Sequence, residues 1–380
     1  MLALVEEQRA LVDLVRTFAE RELAPHALEW DRSCVFPIEV LREAGALGLG
    51  GIVVGEEFGG SALSRPDAAL VFENLARGDT TIAAYISIHN MVTGMLDRHG
   101  TREQRARWLP AMVSMDVLGS YCLTEPGSGS DAAALRTSAT RDGDHYVING
   151  AKQFISGAGA AGVYIVMART GEPGPKGISA IVVEAGTAGM SFGQLEHKMG
   201  WNAQPTRAVT FEDVRVPVAQ RLGDEGGGFE IAMRALDGGR LSIAACSLGG
   251  AQWAYEQAVH HLAARSAFGG RLIDNAAVQF QLADMATNLE ASRVLLASAS
   301  AALERGDADA VRQCAMAKRF VTDACFDVAN AALQLHGGYG YLADYGVEKV
   351  VRDLRVHQIL EGANDIMRMI VGRQIAAGIV

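Results

Sequence analysis

Glu361 stands in the run His357-Gln358-Ile359-Leu360-Glu361-Gly362-Ala363-Asn364-Asp365-Ile366-Met367-Arg368, with Ile359, Leu360, Ile366 and Met367 around it. An apolar setting penalises the ionised form of a glutamate and makes it a stronger base. Raised to roughly pKa 6–7, such a group removes a carbon-bound proton near neutral pH. Gly362 has no side chain and leaves room for a substrate or cofactor to approach the backbone. The same run also reads as a helix start, where the helix dipole favours a carboxylate. From these residues alone the two readings stand level.

A second constellation is Tyr121-Cys122-Leu123-Thr124-Glu125-Pro126-Gly127-Ser128-Gly129-Ser130-Asp131. Glycines alternate with hydroxyls, so backbone N–H groups and Oγ atoms can converge on a phosphate or the edge of a polar heterocycle. A plain turn is the alternative. The strand–glycine–helix order of a Rossmann fingerprint does not surround this loop. A third motif, Gln334-Leu335-His336-Gly337-Gly338-Tyr339, ends a helix; Gly337 suits a left-handed cap, and successive glycines could also expose N–H groups to a phosphate. Arg265 and Arg240 are isolated at element edges, where most arginines are solvated. The nine histidines show no ligand spacing, so no metal is expected. No Gly-x-Ser-x-Gly elbow points to a serine hydrolase.

The elements that must position these residues fall into three blocks. Residues 1–118 read as helices: Leu11, Val12, Val15 and Phe18 recur at helical spacing until Pro25 stops that element, and further helices follow over Asp67–Arg77 and Thr80–Leu96. Residues 119–223 are rich in turn signals, with strands expected at Tyr146–Ile148, Tyr164–Ala168 and Ile178–Val183 and a hairpin turn at Asn149-Gly150. A small β-barrel or sandwich follows. Residues 224–380 are helical again. Val278, Leu282, Met285, Leu289 and Leu296 form one seam, and Cys314, Val321, Val328 and Leu335 form another with Ala317, Ala324 and Ala331 beside it. This is bundle packing, and the class is α+β multidomain.

At 380 residues the chain exceeds what one core usually holds. A net charge of −10 with scattered basic residues disfavours nucleic acid and anionic membranes as partners. Cys34, Cys122, Cys246, Cys314 and Cys325 show no paired spacing, which fits a reducing compartment. The acidic N-terminus lacks a basic leader, so a bacterial cytoplasm is expected, with a mitochondrial matrix as the alternative. No apolar run is long enough to span a bilayer.

Taken together, these motifs resemble the acyl-CoA dehydrogenase family over the whole chain. The Tyr121–Asp131 loop, Phe154-Ile155-Ser156-Gly157, Arg265 with Phe268-Gly269, Gln279–Met285, Gln334–Gly338 and Ile359–Arg368 occur in the family's order. Ala84–Met91, Gly200–Val209 and His357–Gly362 look closest to the branch acting on isobutyryl-CoA. The resemblance implies an N-terminal helical domain, a middle β-domain and a C-terminal four-helix bundle, assembled as a homotetramer with FAD. It implies that Glu361 removes the α-proton of an acyl thioester while hydride leaves Cβ for the flavin, and that electron-transfer flavoprotein takes the electrons. By residue matching, Tyr121, Cys122, Leu123, Thr124, Glu125, Pro126, Gly127, Ser128, Gly129 and Ser130 line the flavin with Phe154, Ile155 and Ser156. The resemblance further implies that Arg265, Asn275, Gln334, Leu335, His336, Gly337 and Gly338 reach FAD across a subunit boundary, and that Ala363, Asn364 and Asp365 close over it. The same matching implies that Ser130, Asp237, Gly238, Gly239, Arg240 and Arg373 touch acyl-CoA.

The pattern departs from the family at three positions. Phe154 stands where many relatives carry Trp, which keeps an apolar ring without the indole N–H. Ala276 replaces a usual Gln, removing a hydrogen-bonding group from the FAD side. Gly239 stands where some branched-chain and long-chain relatives place their base, which leaves Glu361 as the candidate. The substrate expected is a short branched acyl-CoA, isobutyryl-CoA, oxidised to methacrylyl-CoA in valine breakdown. Short straight-chain or 2-methylbutyryl-CoA is the alternative, because one methylene is worth only roughly 1–3 kcal/mol in an apolar pocket. Outside the enzyme class, a flavin-free helical acyl-CoA-binding protein is the rival, and flavin absorbance separates the two.

Overall fold

A computed structural model describes residues 4–378. Six helices come first: α1 (Glu6–Phe18), α2 (Ala27–Ser33), α3 (Ile38–Ala46), α4 (Arg65–Ala76), α5 (Thr80–His99) and α6 (Arg102–Val113). Val12, Val15 and Phe18 face the core from α1, which widens into a π-turn at Ala19–Leu23 before Pro25. Helix α4 starts on Ser64, whose hydroxyl accepts from Asp67 N–H, with a proline in its first turn. Helix α5 starts on Asp79, which accepts from Ile82 N–H. Helices α2, α3 and α6 lie outside the sequence expectation, being short or weakly periodic.

The middle region forms one eight-stranded sheet: β1 (Gly119–Cys122), β2 (Ser138–Asp142), β3 (His145–Ser156), β4 (Val163–Arg169), β5 (Ile178–Glu184), β6 (Met190–Phe192), β7 (Thr206–Pro217) and β8 (Arg221–Leu222). Its order is β6-β7-β3-β2-β4-β5-β8, with β1 parallel to β4. A single pair, Ser138 with Arg169, joins β2 to β4. Both faces of β4 and β5 are buried. Tyr164, Val166, Ile181 and Val183 share a core with Tyr146, Ile148 and Phe211, while Val163, Ile165, Ala180 and Val182 pack with Val92, Met95 and Trp108 of the helical layer. That two-sided burial explains why these strands read as continuous apolar runs.

The hairpin turn lies at Gly143-Asp144, because Asp142 pairs with His145. Asn149-Gly150 does not turn the chain as expected; it sits inside β3 at a bulge opposite β7, where Gly150 has φ +144° and an added Cβ would meet Thr137.

The last region contains α7 (Gly228–Ala264), a short hairpin of β9 (Ser266–Ala267) and β10 (Gly270–Arg271), α8 (Ala276–Arg305), α9 (Ala310–Leu335), α10 (Val347–His357) and α11 (Asn364–Ala376). Helices α7, α8 and α9 pack side by side, and α10 and α11 close the bundle against α9. The α9 seam departs from the expected pattern. Cys314, Val321 and Val328 are buried, but the companion row is Lys318, Cys325 and Ala332, four residues on, while Ala324 and Ala331 are only half-buried. An i, i+4 row follows a 3.6-residue turn as readily as i, i+3 does.

Candidate active site

Glu361 lies in the turn between α10 and α11, three residues before the first residue of α11. It is therefore not a helix-start carboxylate. Its φ is +54° and that of Gly362 is +92°. A non-glycine residue held in the left-handed region stores about 1–3 kcal/mol and persists only where its surroundings fix it. Arg240 Nε donates to Glu361 O at 3.3 Å, and Lys318 Nζ donates to Gly362 O at 2.8 Å. The residue is half-buried, while its Oε2 is buried without a hydrogen-bond partner. Burial pushes the carboxyl up to about 7, against the pull of Lys318 and Arg240.

Helix α7 supplies the opposite wall. A Cβ on Gly239 would collide with Glu361 Oε2, and one on Gly238 would stand 2.6 Å from Arg65 Nη1. Two glycines in mid-helix cost stability; here they make room for a carboxylate and a guanidinium. Asp237 and Arg240 pair at 2.6 Å, both buried, so Arg240 is not a solvated arginine. Beside Gly239 a cavity opens between α4, α5 and α7, lined by Phe72, Ser87, Asn90, Met91 and Ser242, with Arg98 and Arg234 further along.

On the sheet side, Tyr121 at the end of β1 buries a hydroxyl with no partner. Burial chiefly, then Cys122 and Glu361, hold that phenol above its ordinary range. After it the loop folds back on itself through paired Glu125 and Ser128 backbone hydrogen bonds. Glu125 accepts from Arg136 N–H at 2.6 Å, Thr137 N–H at 2.8 Å and the buried Lys152 ammonium at 2.8 Å. Gly127 and Gly129 face open space. Phe154 has φ +59° beside a register shift of β3, which throws its ring outward to 64% exposure. Gln153 N–H donates to Thr124 O at 2.8 Å, tying that bulge to the loop.

A second concavity lies at the far end of α7 and α9. It is lined by His261, Arg265, Leu272 and the run Gln334–Tyr339. Arg265 lies over the Tyr339 ring at 5.5 Å, and His261 stacks on His336 at 4.7 Å.

Residues 5–116, 120–214 and 226–376 match the acyl-CoA dehydrogenase N-terminal, middle and C-terminal domains. The chain belongs to the acyl-CoA dehydrogenase family. It is 54% identical over 374 residues to mitochondrial isobutyryl-CoA dehydrogenase of Bos taurus, covering 98% of this chain and 90% of that one. The Dictyostelium discoideum enzyme of the same name is 54% identical over 376 residues, covering 99% and 90%. Butyryl-CoA dehydrogenase of Megasphaera elsdenii superposes with a TM-score of 0.96 at 36% identity, covering 99% of this chain and all of that one.

This acyl-CoA dehydrogenase is an oxidoreductase of an FAD-dependent family. Its residues fit that cofactor: Gly127 and Gly129 face open space, Phe154 turns its ring outward and Tyr121 buries an unpaired phenol. Ser130, Pro126 and Asp365 are exposed, Leu123, Thr124, Ser156 and Ala363 are half-buried, and Arg373 lies exposed on α11.

Several expected contact residues turn their side chains elsewhere. Cys122 and Ile155 lie in the core. Both Glu125 oxygens are occupied by Lys152 and backbone N–H groups. Asn275 caps α8 through Ala277 N–H at 2.9 Å, with Ala276 as its first residue. His336 Nδ1 bonds Ala332 O at 2.7 Å. The Asn364 amide is taken by Lys318, Thr322 and Asp323. These side chains are engaged within the protein itself. Sequence reasoning missed Lys318 and Lys152. A charged residue inside an apolar seam, four after Cys314, was the available signal for Lys318.

Proposed function

We propose that this chain oxidises a short branched acyl-CoA, isobutyryl-CoA to methacrylyl-CoA, with Glu361 as the base. The observation that carries the reading is the buried, unpartnered Glu361 Oε2 facing Gly239, which lines the cavity between α4, α5 and α7. Bound FAD supplies the hydride acceptor. The chain's own residues do the rest. Among the described residues the Glu361 N–H donates to nothing, which leaves it for a thioester carbonyl. Such a donor acidifies the α-carbon by stabilising charge as it develops on oxygen. The carboxylate then takes the α-proton, and its raised pKa matches that task near neutral pH. Arg240, paired with Asp237, grips the Glu361 carbonyl and keeps the base aimed.

Branched-chain preference rests on the 54% identity to isobutyryl-CoA dehydrogenases and on the walls set by Phe72, Met91 and Gly239. Electron-transfer flavoprotein as acceptor and a homotetramer complete the proposal, in a reducing compartment such as the cytoplasm. The exposed Phe268, Phe280 and Tyr341 give the C-terminal bundle apolar surface for such an assembly, and the five cysteines are unpaired. No helix among the described residues is long and apolar enough to cross a membrane.

The test is Glu361→Gln: flavin absorbance and acyl-CoA binding persist while turnover is lost. Normal turnover in that variant overturns the assignment of the base. Comparing kcat/KM for isobutyryl-, butyryl- and 2-methylbutyryl-CoA decides the substrate.

A further inference from the structure

Lys318 is fully buried in the first half of α9, where the other buried positions are small or apolar. Its ammonium donates to Gly362 O and Asn364 Oδ1, each at 2.8 Å. Neither partner is charged. A buried cation without an ion-paired carboxylate is costly, so its retention calls for a second function. One contact falls on the turn that carries Glu361, one residue beyond it, and the other on the first residue of α11, three residues beyond it. Asn364 in turn donates to Thr322 Oγ1 at 2.9 Å and Asp323 Oδ1 at 2.7 Å, so the turn is stitched to α9 along one face.

We propose that Lys318 is a positioning residue for the dehydrogenation, whose ammonium pins the left-handed Glu361-Gly362 turn to α9 and places a countercharge beside the base. The proposal deepens the reading of Glu361 as the base and rests on it. The charged groups facing Glu361 are Lys318 from α9 and Arg240 from α7, with the thiol of Cys246 and the phenol of Tyr121 completing the surroundings. Those facing Lys318 are Glu361, Arg240 and Asp323, with His357 of α10 near enough to feel its charge. Arg240 is engaged by Asp237, which leaves Lys318 as the buried cation beside Glu361 with no carboxylate bonded to it. Burial pulls the Lys318 ammonium down to about 8, with Glu361 opposing that pull.

The experiment uses the FAD-loaded enzyme with isobutyryl-CoA and measures kcat/KM from pH 5.5 to 9.5 for wild type, Lys318→Met, Lys318→Arg and Glu361→Gln. Loss of the cation moves the acid limb of the Lys318→Met profile upward by about one pH unit. With the wild-type limb near 7, that shift leaves about a fivefold smaller ionised fraction at pH 7. Loss of the anchor lowers the alkaline plateau as well, by about tenfold or more, since small misplacements of a base are costly. Lys318→Arg keeps the wild-type limb while its plateau falls, and it stands in if Lys318→Met does not fold. An unmoved limb in Lys318→Met, or a Lys318→Arg limb shifted by a full unit, overturns the proposal. If Glu361→Gln turns over normally, the reading of the base fails first; if Glu361→Gln is dead and the Lys318→Met limb is unmoved, only the role of Lys318 fails.

Discussion

Gly239 and Glu361 occupy touching space: a Cβ on the glycine would run into the carboxylate Oε2. The atom struck is the far end of a flexible side chain, so Gly239→Ala should displace the base and leave the fold intact. We expect kcat/KM to fall about 100-fold, because an ångström of misplacement is enough for that. The melting temperature and flavin content should stay close to wild type. Steady-state kinetics beside a thermal melt checks both; activity within twofold of wild type would mean the carboxylate works from another position.

Burying Glu361 has a stability cost that follows pH. Its folded pKa of about 7 lies above the ordinary value of 4.5. The native state therefore holds the proton more tightly, and its contribution is complete below about pH 4.5 and lost as pH rises through 7. The loss amounts to about 3 kcal/mol at most. Glu361→Gln, neutral at every pH, should thus be more stable than wild type at pH 8 and similar to it at pH 5. Chemical denaturation at the two pH values measures the difference, and equal stabilities at pH 8 would count against a buried carboxylate.

Lys152 and Glu125 form a buried pair at 2.8 Å that holds the Tyr121–Asp131 loop. Removing one partner leaves the other buried and uncompensated, which costs about 3–5 kcal/mol. Lys152→Met should lower stability by that order and release FAD during gel filtration, read as a reduced ratio of flavin to protein absorbance. A variant that kept full flavin would show that the loop shape does not depend on the pair.

Histidine tautomers give an acid-side prediction. Trp201 Nε1 donates to His357 Nε2 at 3.1 Å, and an indole nitrogen can only donate. The ring must therefore carry its proton on Nδ1, which donates to Ser247 Oγ at 2.7 Å. The fully buried ring is held down to about 3, and His89, also buried, to about 4, chiefly by desolvation. Both folded values lie below the ordinary 6.5, so their contributions are present above pH 6.5 and lost as pH falls through 4 and 3. These two histidines make stability fall as pH drops below 6.5, against the opposite contribution of Glu361, and the fall should be less steep in His357→Gln. Melting curves at half-unit steps test this; parallel curves for the two proteins would refute a neutral His357.

Much of the architecture was legible because each layer has its own period. Val12, Val15 and Phe18 repeat as a helix, and β4 and β5 read as apolar runs because both of their faces are covered. Asn149-Gly150 misled because the dipeptide that favours a two-residue turn also suits a bulge, and only the pairing of β3 with β7 distinguishes them. The α9 seam misled for a related reason: rows at i+3 and i+4 are close alternatives until neighbouring helices choose one.

By itself the sequence determined the chemistry available: one glutamate amid apolar residues, a loop of alternating glycines and hydroxyls, and three blocks of distinct periodicity. Chain order carries that information because residue type and spacing fix what a segment can bury and what it can donate. Which glycine faces the base, which of two cations stands free of a carboxylate, and which expected ligands spend their side chains on caps and ion pairs were decided by tertiary structure. Gly239 and Glu361 lie 122 residues apart, and Lys318 and Gly362 lie 44 apart. Burial, electric field and clash between such pairs exist only once the helices have met.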